Sequence, residues 1–167
     1  MKITAIVVGR AKAPLRDAIA DYETRAGRYW KLEVVEVASG GGAKGKSRPD
    51  RVVETEEALL LARLPERAQV VALTRTGHGL KSVDLAAYLD DHALHSTQDV
   101  CFIIGGAFGL GPRILDRAQK RWSLSESTLP HEMARLLLAE QLYRAGTIIR
   151  NEPYHKGPSR GDHRGSH

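Results

Sequence analysis

The sequence has a single cysteine and no long hydrophobic run. A single cysteine excludes a framework of disulfides within the chain. Cys101 lies within the apolar stretch DVCFII, which indicates a buried core side chain. No apolar run reaches the ~18–20 residues that a membrane-spanning helix requires. The N-terminal stretch MKITAIVVGRAK has no small-residue cleavage site after it, so a secretory signal is not expected. We therefore expect a cytoplasmic, soluble protein without a membrane partner.

Chain length and net charge indicate the number of domains and the kind of binding partner. The chain has 167 residues, enough for one domain that buries roughly two-thirds of the surface exposed by its unfolded form. The net charge is +5 at pH 7, and much of the excess lies in residues 44–51. There Lys44, Lys46, Arg48 and Arg51 are opposed by a single acid. A loop of this composition favours a polyanionic partner.

The same loop matches the G-x-x-x-x-G-K-S pattern of phosphate-binding loops. Gly40 opens the match and Gly45, Lys46 and Ser47 close it, directly after the strand-like stretch KLEVVEVA. Nucleotide enzymes of this kind also need an aspartate at the end of a second apolar strand to hold magnesium. Neither VVALTRTG nor VCFIIGGAFG ends in a carboxylate. We therefore interpret the loop as a contact to a polyanion and not as a nucleoside-triphosphate site.

Strand-like and helix-like periodicities alternate along the first 120 residues. The apolar pattern predicts strands at 2–8, 32–38, 69–74 and 99–105, each followed by a helix, at 14–30, 50–64, 82–94 and 112–120. Such alternation indicates an α/β domain with a parallel-type sheet and helices on both faces. Ligands of these sheets bind beyond the carboxyl ends of the strands. The stretches ALTRTGHGL and IIGGAFGLGP are the corresponding strand ends, and their glycines do not match a dinucleotide fingerprint.

The alternation stops after residue 120. A short polar strand-like piece precedes Pro130, which opens a helix of about four turns, and an extended tail leads to Tyr154-His155-Lys156. Along this helix the apolar stripe at Leu137 continues as the polar Glu140 and Arg144, spaced for an ion pair. Polar groups that continue an apolar stripe indicate an interface or a site.

The glycine turn and the last third of the chain carry a specific set of motifs. IGG-x-x-G, W-S-L-S-x-x-T-L-P-H, E-Q-L-Y-R-A and N-x-P-Y-H-K together resemble the RlmH (YbeA) family of the SPOUT superfamily. The likeness covers residue 1 to about residue 156, so we expect one SPOUT methyltransferase domain at 1–156 and a disordered tail at 157–167. The resemblance implies N3-methylation of a pseudouridine in large-subunit (23S) ribosomal RNA. It also implies a deep C-terminal trefoil knot and a homodimer formed through the terminal helices.

The resemblance further implies S-adenosylmethionine as cofactor, held mainly by the backbone of three loops. The matching positions are Leu73, Gly105, Leu124, Ser125, Glu126, Ser127, Thr128 and Leu129. Small residues there let backbone amides approach an adenine edge, while the leucines provide apolar walls. The cofactor carries the reactive methyl group, so the reaction needs no metal. In this interpretation Lys44, Lys46 and Arg48 contact ribosomal RNA.

Four residues are candidates for the chemistry. His155 lies in the tail that the family folds over its active site, and we expect it to accept the N3 proton. His131, at the start of the last helix, is the other histidine candidate. Tyr154 can stack on the flipped-out base or hydrogen-bond to it. Arg144 suits charge stabilisation or phosphate contact, because a guanidinium does not act as a base.

Two other functions remain open at this point. A ribosome-associated RNA-binding factor would keep the fold without the chemistry, and it would bind no S-adenosylmethionine. A related SPOUT enzyme would act on transfer RNA or on a ribose 2′-oxygen and would place the methyl group on the sugar in the latter case. Cofactor titration and product analysis separate these possibilities.

Overall fold

The computed structural model describes residues 1–41 and 48–156. The predicted alternation of strands and helices is confirmed. The elements in chain order are β1 (Lys2–Val8), α1 (Arg16–Ala26), β2 (Lys31–Val37), α2 (Pro49–Arg63), β3 (Ala68–Gly79), α3 (Ser82–His95), β4 (Asp99–Ile104), α4 (Pro112–Arg117), β5 (Lys120–Ser123) and α5 (His131–Ile149), followed by a 3-10 turn at Pro153–His155.

The strands of the described residues form one parallel sheet in the order β2-β1-β4-β3-β5. One apolar face, centred on Phe102, packs against α1, α3 and α5. The opposite face, which includes Ile103, packs against α2 and α4. Helices therefore cover both faces, as predicted, and the carboxyl ends of all strands meet at one edge of the sheet.

Strand β3 continues beyond the end of its neighbour β4 and meets β5 in two registers. Leu73 and His78 both pair with Trp122, so residues 74–77 lie outside the ladder between them. Gly79 then pairs with Ser123, and the amide of Leu80 donates to the Ser123 carbonyl at 2.9 Å. The arrangement holds residues 74–77 at the carboxyl edge of the sheet, where a ligand is expected.

Several predicted boundaries are wrong. The helix expected at 112–120 ends at Arg117, because Gln119 donates to the Val70 carbonyl at 2.9 Å and Lys120 joins β5. The helix expected at 14–30 is the shorter α1, and the strand expected at 69–74 runs on to Gly79. The tail is not extended throughout, because α5 reaches Ile149 and a 3-10 turn follows.

The last third of the chain follows a path that crosses the sheet. From β4 the chain passes through α4 to β5, on the far side of β3, before α5 returns to pack against α1 and α3. The trefoil knot in this segment and the homodimer stay predictions, and the predicted disordered tail at 157–167 lies outside the described residues. Within the described chain, none of the helices has the length and apolar character to span a membrane.

Candidate active site

A cleft of about 630 Å³ lies at the carboxyl ends of β3 and β4. Its volume is within the range of small-molecule sites, about 300–1,000 Å³. Three stretches form most of its wall, namely residues 73–76 of β3, the glycine turn at 104–110 and the segment 123–131. Topology therefore brings together three stretches that are far apart in the chain.

The cleft gathers most of the residues predicted to bind the cofactor. The predicted residues that line it are Leu73, Gly105, Leu124, Ser125, Ser127, Thr128 and Leu129. Glu126 is not part of the lining, whereas the catalytic candidate His131 is. This clustering agrees with a shared role, and the binding role of each residue stays a prediction.

The glycine turn forms the part of the wall that follows β4. The Gly109 amide donates to the Gly106 carbonyl at 3.1 Å, and Gly109 has φ +82°, a conformation that favours glycine. A Cβ on Gly105 would lie 2.9 Å from the Gly109 backbone, so the turn closes only without that side chain. Ala107 and Phe108 are thereby presented at the exposed tip of the turn.

The segment after β5 supplies the opposite wall. The Ser123 hydroxyl donates to the Ser125 carbonyl at 2.7 Å, and the Ser127 amide donates to the Ser125 hydroxyl at 2.9 Å. Arg75 donates to the Thr128 hydroxyl at 2.7 Å, which joins this wall to the bulged part of β3. Short-range hydrogen bonds of this kind fix the backbone in a non-repetitive conformation.

His131 begins α5 beside the end of β1. A Cβ on Gly9 would lie 2.8 Å from His131 Nε2, and Gly9 has φ +87°, so only glycine fits this contact without strain. His131 Nε2 is 3.9 Å from the Glu132 carboxylate. The imidazole therefore lines the cleft while it packs against the end of β1.

The remaining catalytic candidates form a second cluster at the far end of α5. Arg144 contacts Glu140 Oε1 through Nε at 3.0 Å and Nη2 at 2.5 Å, which confirms the predicted pairing. The Tyr154 hydroxyl donates to the same oxygen at 3.1 Å, and the Arg144 guanidinium lies 4.9 Å from the Tyr154 ring centre. The hydrogen bond to Glu140 raises the pKa of Arg144, so this group stays cationic.

The rest of this cluster consists of tyrosines and His155. Burial, together with hydrogen bonds to Tyr22 and Glu140, raises the pKa of Tyr154, which keeps its phenol protonated at neutral pH. Its ring centre lies 4.5 Å from that of Tyr143. His155 Nδ1 is buried and has no hydrogen-bond partner among residues 1–41 and 48–156.

The two groups of candidates do not meet within one chain. His131 and Arg144 lie on the same helix, thirteen residues apart in the numbering, which corresponds to about 20 Å along the axis. The described chain therefore places the cleft at one end of α5 and the cluster of Arg144, Tyr154 and His155 at the other.

The structure describes only the later part of the basic loop at residues 44–51. Lys44 and Lys46 lie outside the described residues. Arg48 is exposed, pairs with Asp50 at 3.3 Å and precedes Pro49, which lines the cleft. The Gly40 amide donates to Glu56 at 3.1 Å, so this first glycine of the phosphate-loop pattern is already bonded to a carboxylate.

Sequence reasoning missed four residues at or behind the cleft. Arg75 and Phe108 line it, and two buried carboxylates, Glu56 and Glu57, lie behind the glycine turn. Glu56 has a signal in the sequence, because it falls on the same helical face as Val52 and Leu60. In the described part of the chain, no group of three or more metal-ligating side chains is positioned to hold a metal ion.

Comparison with known proteins identifies the family. The model of the family described as "Predicted SPOUT methyltransferase" matches residues 1–155. A protein of Gemmatimonas aurantiaca named ribosomal RNA large subunit methyltransferase H is 50% identical over 157 residues, which cover 93% of this chain and 100% of that protein. A protein of the same name from Syntrophotalea carbinolica is 43% identical over 156 residues, covering 93% of this chain and 99% of that protein.

A solved structure supports the fold independently. The crystal structure of a probable methyltransferase from Bordetella pertussis Tohama I superimposes with a TM-score of 0.56 at 17% identity, covering 87% of this chain and 94% of that one. At this level of identity the likeness concerns the fold alone. The family match spans nearly the whole chain, and the relatives match over their full length. The chain therefore belongs to the SPOUT methyltransferase family.

Proposed function

We propose that this protein transfers a methyl group from S-adenosylmethionine to N3 of a pseudouridine in 23S ribosomal RNA. The observation that carries the proposal is the cleft, where three separate segments join at the carboxyl edge of the parallel sheet. Family membership supports a methyltransferase, and the relatives' names supply the large ribosomal subunit as substrate class. The C-terminal motifs of the sequence support the choice of N3.

The residues of the cleft fit S-adenosylmethionine. Leu73, Leu124 and Leu129 give apolar walls, while the backbone at Gly105 and at 124–129 is available for polar contacts to an adenine edge. When bound, this cofactor supplies an activated methyl group on a sulfonium. The walls would orient that group and exclude water, which is the protein's contribution to a transfer of this type.

The distant cluster supports a site shared between two copies of the chain. About 20 Å of helix separates His131 from Arg144, so one chain does not bring Arg144, Tyr154 or His155 to its own cleft. A twofold contact between α5 helices would place the cluster of one copy over the cleft of the other. The half-buried Met133 and Leu137 would then be covered by the partner.

In such a shared site, each residue of the cluster would have a separate role. His155 would accept the N3 proton. Arg144 is held by Glu140 and would contact a phosphate or stabilise developing negative charge. Tyr154 stays protonated and would stack on the base or donate a hydrogen bond to it. The partner in the reaction is ribosomal RNA, within the large subunit or the whole ribosome, in the cytoplasm.

The basic loop makes a separate, measurable contribution. If Lys44, Lys46 and Arg48 each contact a phosphate, they add roughly −2 to −2.7 to the slope of log affinity against log salt concentration. Replacing all three by alanine should flatten the slope by that amount, and affinity for S-adenosylmethionine should not change. Magnesium-dependent ATP binding that disappears in Lys46→Ala, with an unaltered slope in the triple variant, would instead support a phosphate-binding loop.

Methyl transfer to ribosomes tests the proposed function directly. Ribosomes from a strain that lacks this activity would be incubated with the protein and labelled S-adenosylmethionine, and the modified nucleoside would be mapped by mass spectrometry. We expect one added methyl group at N3 of a pseudouridine of 23S RNA. A methyl group on a ribose or in transfer RNA would identify a related enzyme activity. Absence of both transfer and cofactor binding would identify an RNA-binding factor.

A further inference from the structure

We infer that Phe108 and Arg75 form the receptor for the target nucleotide at the mouth of the cleft, with the Phe108 ring stacking on the base and the Arg75 guanidinium contacting its phosphate. This inference rests on the proposed function, because it assigns the substrate side of the same site. Both residues line the cleft, from the glycine turn and from the bulged part of β3 respectively.

Phe108 is a large aromatic side chain that is exposed to solvent at the mouth of the cleft. It is 52% exposed, although the apolar side chains of β4 that precede it are fully buried. The hydrogen-bonded turn between Gly106 and Gly109 fixes its backbone, so the ring is held at the rim by a defined structure. An exposed ring on a fixed turn is the arrangement by which proteins stack on unpaired bases.

Arg75 supplies a positive charge at the same opening. Its Nη1 donates to the Thr128 hydroxyl at 2.7 Å, and none of the carboxylates in residues 1–41 and 48–156 pairs with it. A guanidinium offers five donors, so one bond to a neutral hydroxyl leaves most of them for an anion. The bulge keeps the backbone of residues 74–77 outside the ladder, and the bond to Thr128 places the guanidinium next to the segment 123–131.

The charge of the cleft favours an anionic ligand. None of the described residues that line it is an aspartate or glutamate, and Arg75 is its permanently charged member. A nucleotide of single-stranded or flipped-out RNA combines a flat aromatic face with a phosphate, which matches the two residues. Two groups of the cofactor are competing occupants, namely the sulfonium for Phe108 and the carboxylate for Arg75.

Substitutions at Phe108 test the stacking contact. Phe108→Ala should weaken affinity for the ribosomal substrate about 5- to 150-fold, which is the effect of losing one base–aromatic stack. Phe108→Tyr and Phe108→Trp should retain substrate affinity, and Phe108→Leu should behave like Phe108→Ala because it keeps apolar contact without an aromatic face. Affinity for S-adenosylmethionine, measured by calorimetry, should not change in any of them. Leu94→Ala, an exposed apolar residue on α3 outside the cleft lining, is the matched control.

Substitutions at Arg75 test the phosphate contact. Arg75→Gln should raise the apparent KM for ribosomes and reduce the log–log salt slope of substrate binding by about 0.7–0.9, the value of one phosphate contact. Arg75→Lys should recover most of the slope. Arg63→Gln is the matched control, because Arg63 ends α2 about 20 Å along the helix from Pro49 at the cleft.

Full substrate affinity in Phe108→Leu would overturn the inference. Loss of S-adenosylmethionine affinity in Phe108→Ala or Arg75→Gln would also overturn it, because it would place these side chains on the cofactor. Comparing S-adenosylmethionine with its demethylated product, which has a neutral thioether in place of the sulfonium, identifies a sulfonium contact, because only the former would lose affinity in Phe108→Ala. If the unaltered protein methylates no ribosomal RNA, the proposed function fails first, whereas a normal Phe108→Ala enzyme refutes this inference alone.

Discussion

Glu57 is a buried carboxylate that ties helix α2 to the start of α4. It is 4% exposed, and it accepts hydrogen bonds from the Arg113 amide at 2.8 Å, the Ile114 amide at 3.3 Å and Arg113 Nε at 2.9 Å. A Cβ on Gly111 would lie 2.1 Å from the carboxylate, so glycine is required beside it. A single acidic side chain therefore satisfies amides that a six-residue helix leaves without internal partners.

We expect Glu57→Ala to lower the free energy of unfolding by about 2–4 kcal/mol, because it leaves buried amides without an acceptor and opens a cavity. Glu57→Gln should lose less, since its amide oxygen still accepts. Urea denaturation measures both. Exposed Glu54, on the same helix, provides the control, and Glu54→Ala should change stability by no more than about 0.5 kcal/mol. Equal losses for Glu54→Ala and Glu57→Ala would contradict this account.

We expect the thiol of Cys101 to make the stability of the protein decrease as the pH becomes alkaline. Burial raises the pKa of its thiol from 9.0 to about 12, so the unfolded chain loses this proton first as the pH rises. Stability should then fall between about pH 9 and pH 12, by up to ~1.4 kcal/mol per pH unit. Comparing Cys101→Val with the unaltered protein by urea denaturation at pH 8 and pH 10.5 isolates the thiol. Parallel losses in the two proteins would refute the assignment.

At the scale of the element, we expect the backbone of the segment 123–129 to matter more for cofactor binding than its side chains. Ser127→Pro removes the amide that bonds to the Ser125 hydroxyl and restricts the residue before it. We expect at least a tenfold loss of affinity for S-adenosylmethionine in calorimetry, whereas Ser127→Ala should bind nearly normally. A folded Ser127→Pro protein with unchanged affinity would show that this backbone does not hold the cofactor.

Elements with regular periodicity were predictable, and elements set by distant contacts were not. Strands β1 and β4 show the apolar runs of buried parallel strands, and both were found where expected. The sequence predicts Lys120 in a helix, because nothing local reveals that it pairs with Val71 about fifty residues earlier. Glu56 and Glu57 were missed because consecutive acids on a helix usually face solvent, and here long-range partners reverse that expectation.

The gathering of these residues at one cleft was predictable only through family motifs. Leu73, Gly105 and the segment 124–129 carry no common periodicity, and sheet order alone makes them neighbours. Phe108 and Arg75 lie in stretches that were recognised as strand ends, yet their exposure at one opening depends on the turn and on the bulge in β3. Conformation, not residue type, distinguishes them from ordinary loop residues.

At the scale of the whole molecule, mixing two inactive variants tests the shared site. Ser127→Pro disables the cleft and Tyr154→Ala disables the distant cluster, so we expect each protein alone to be inactive. Co-expressed, half of the dimers should be mixed and should hold one intact site of two, which restores about a quarter of normal methyl transfer. Tyr154→Ala mixed with His155→Ala should restore nothing, because neither copy has a complete cluster. Equal inactivity in both mixtures would rule out a site built by two copies.

Because β5 and α5 follow β4 in the chain, the cleft is completed late in synthesis. Strands β1 to β4 can pair once residue 104 has emerged, but the wall formed by residues 123–131 is then still missing. Domains fold as translation proceeds from the N-terminus, at ≈ 5–20 residues per second. A growing chain that has reached only residue 104 consequently has four of the five strands, and its cleft lacks the wall at residues 123–131.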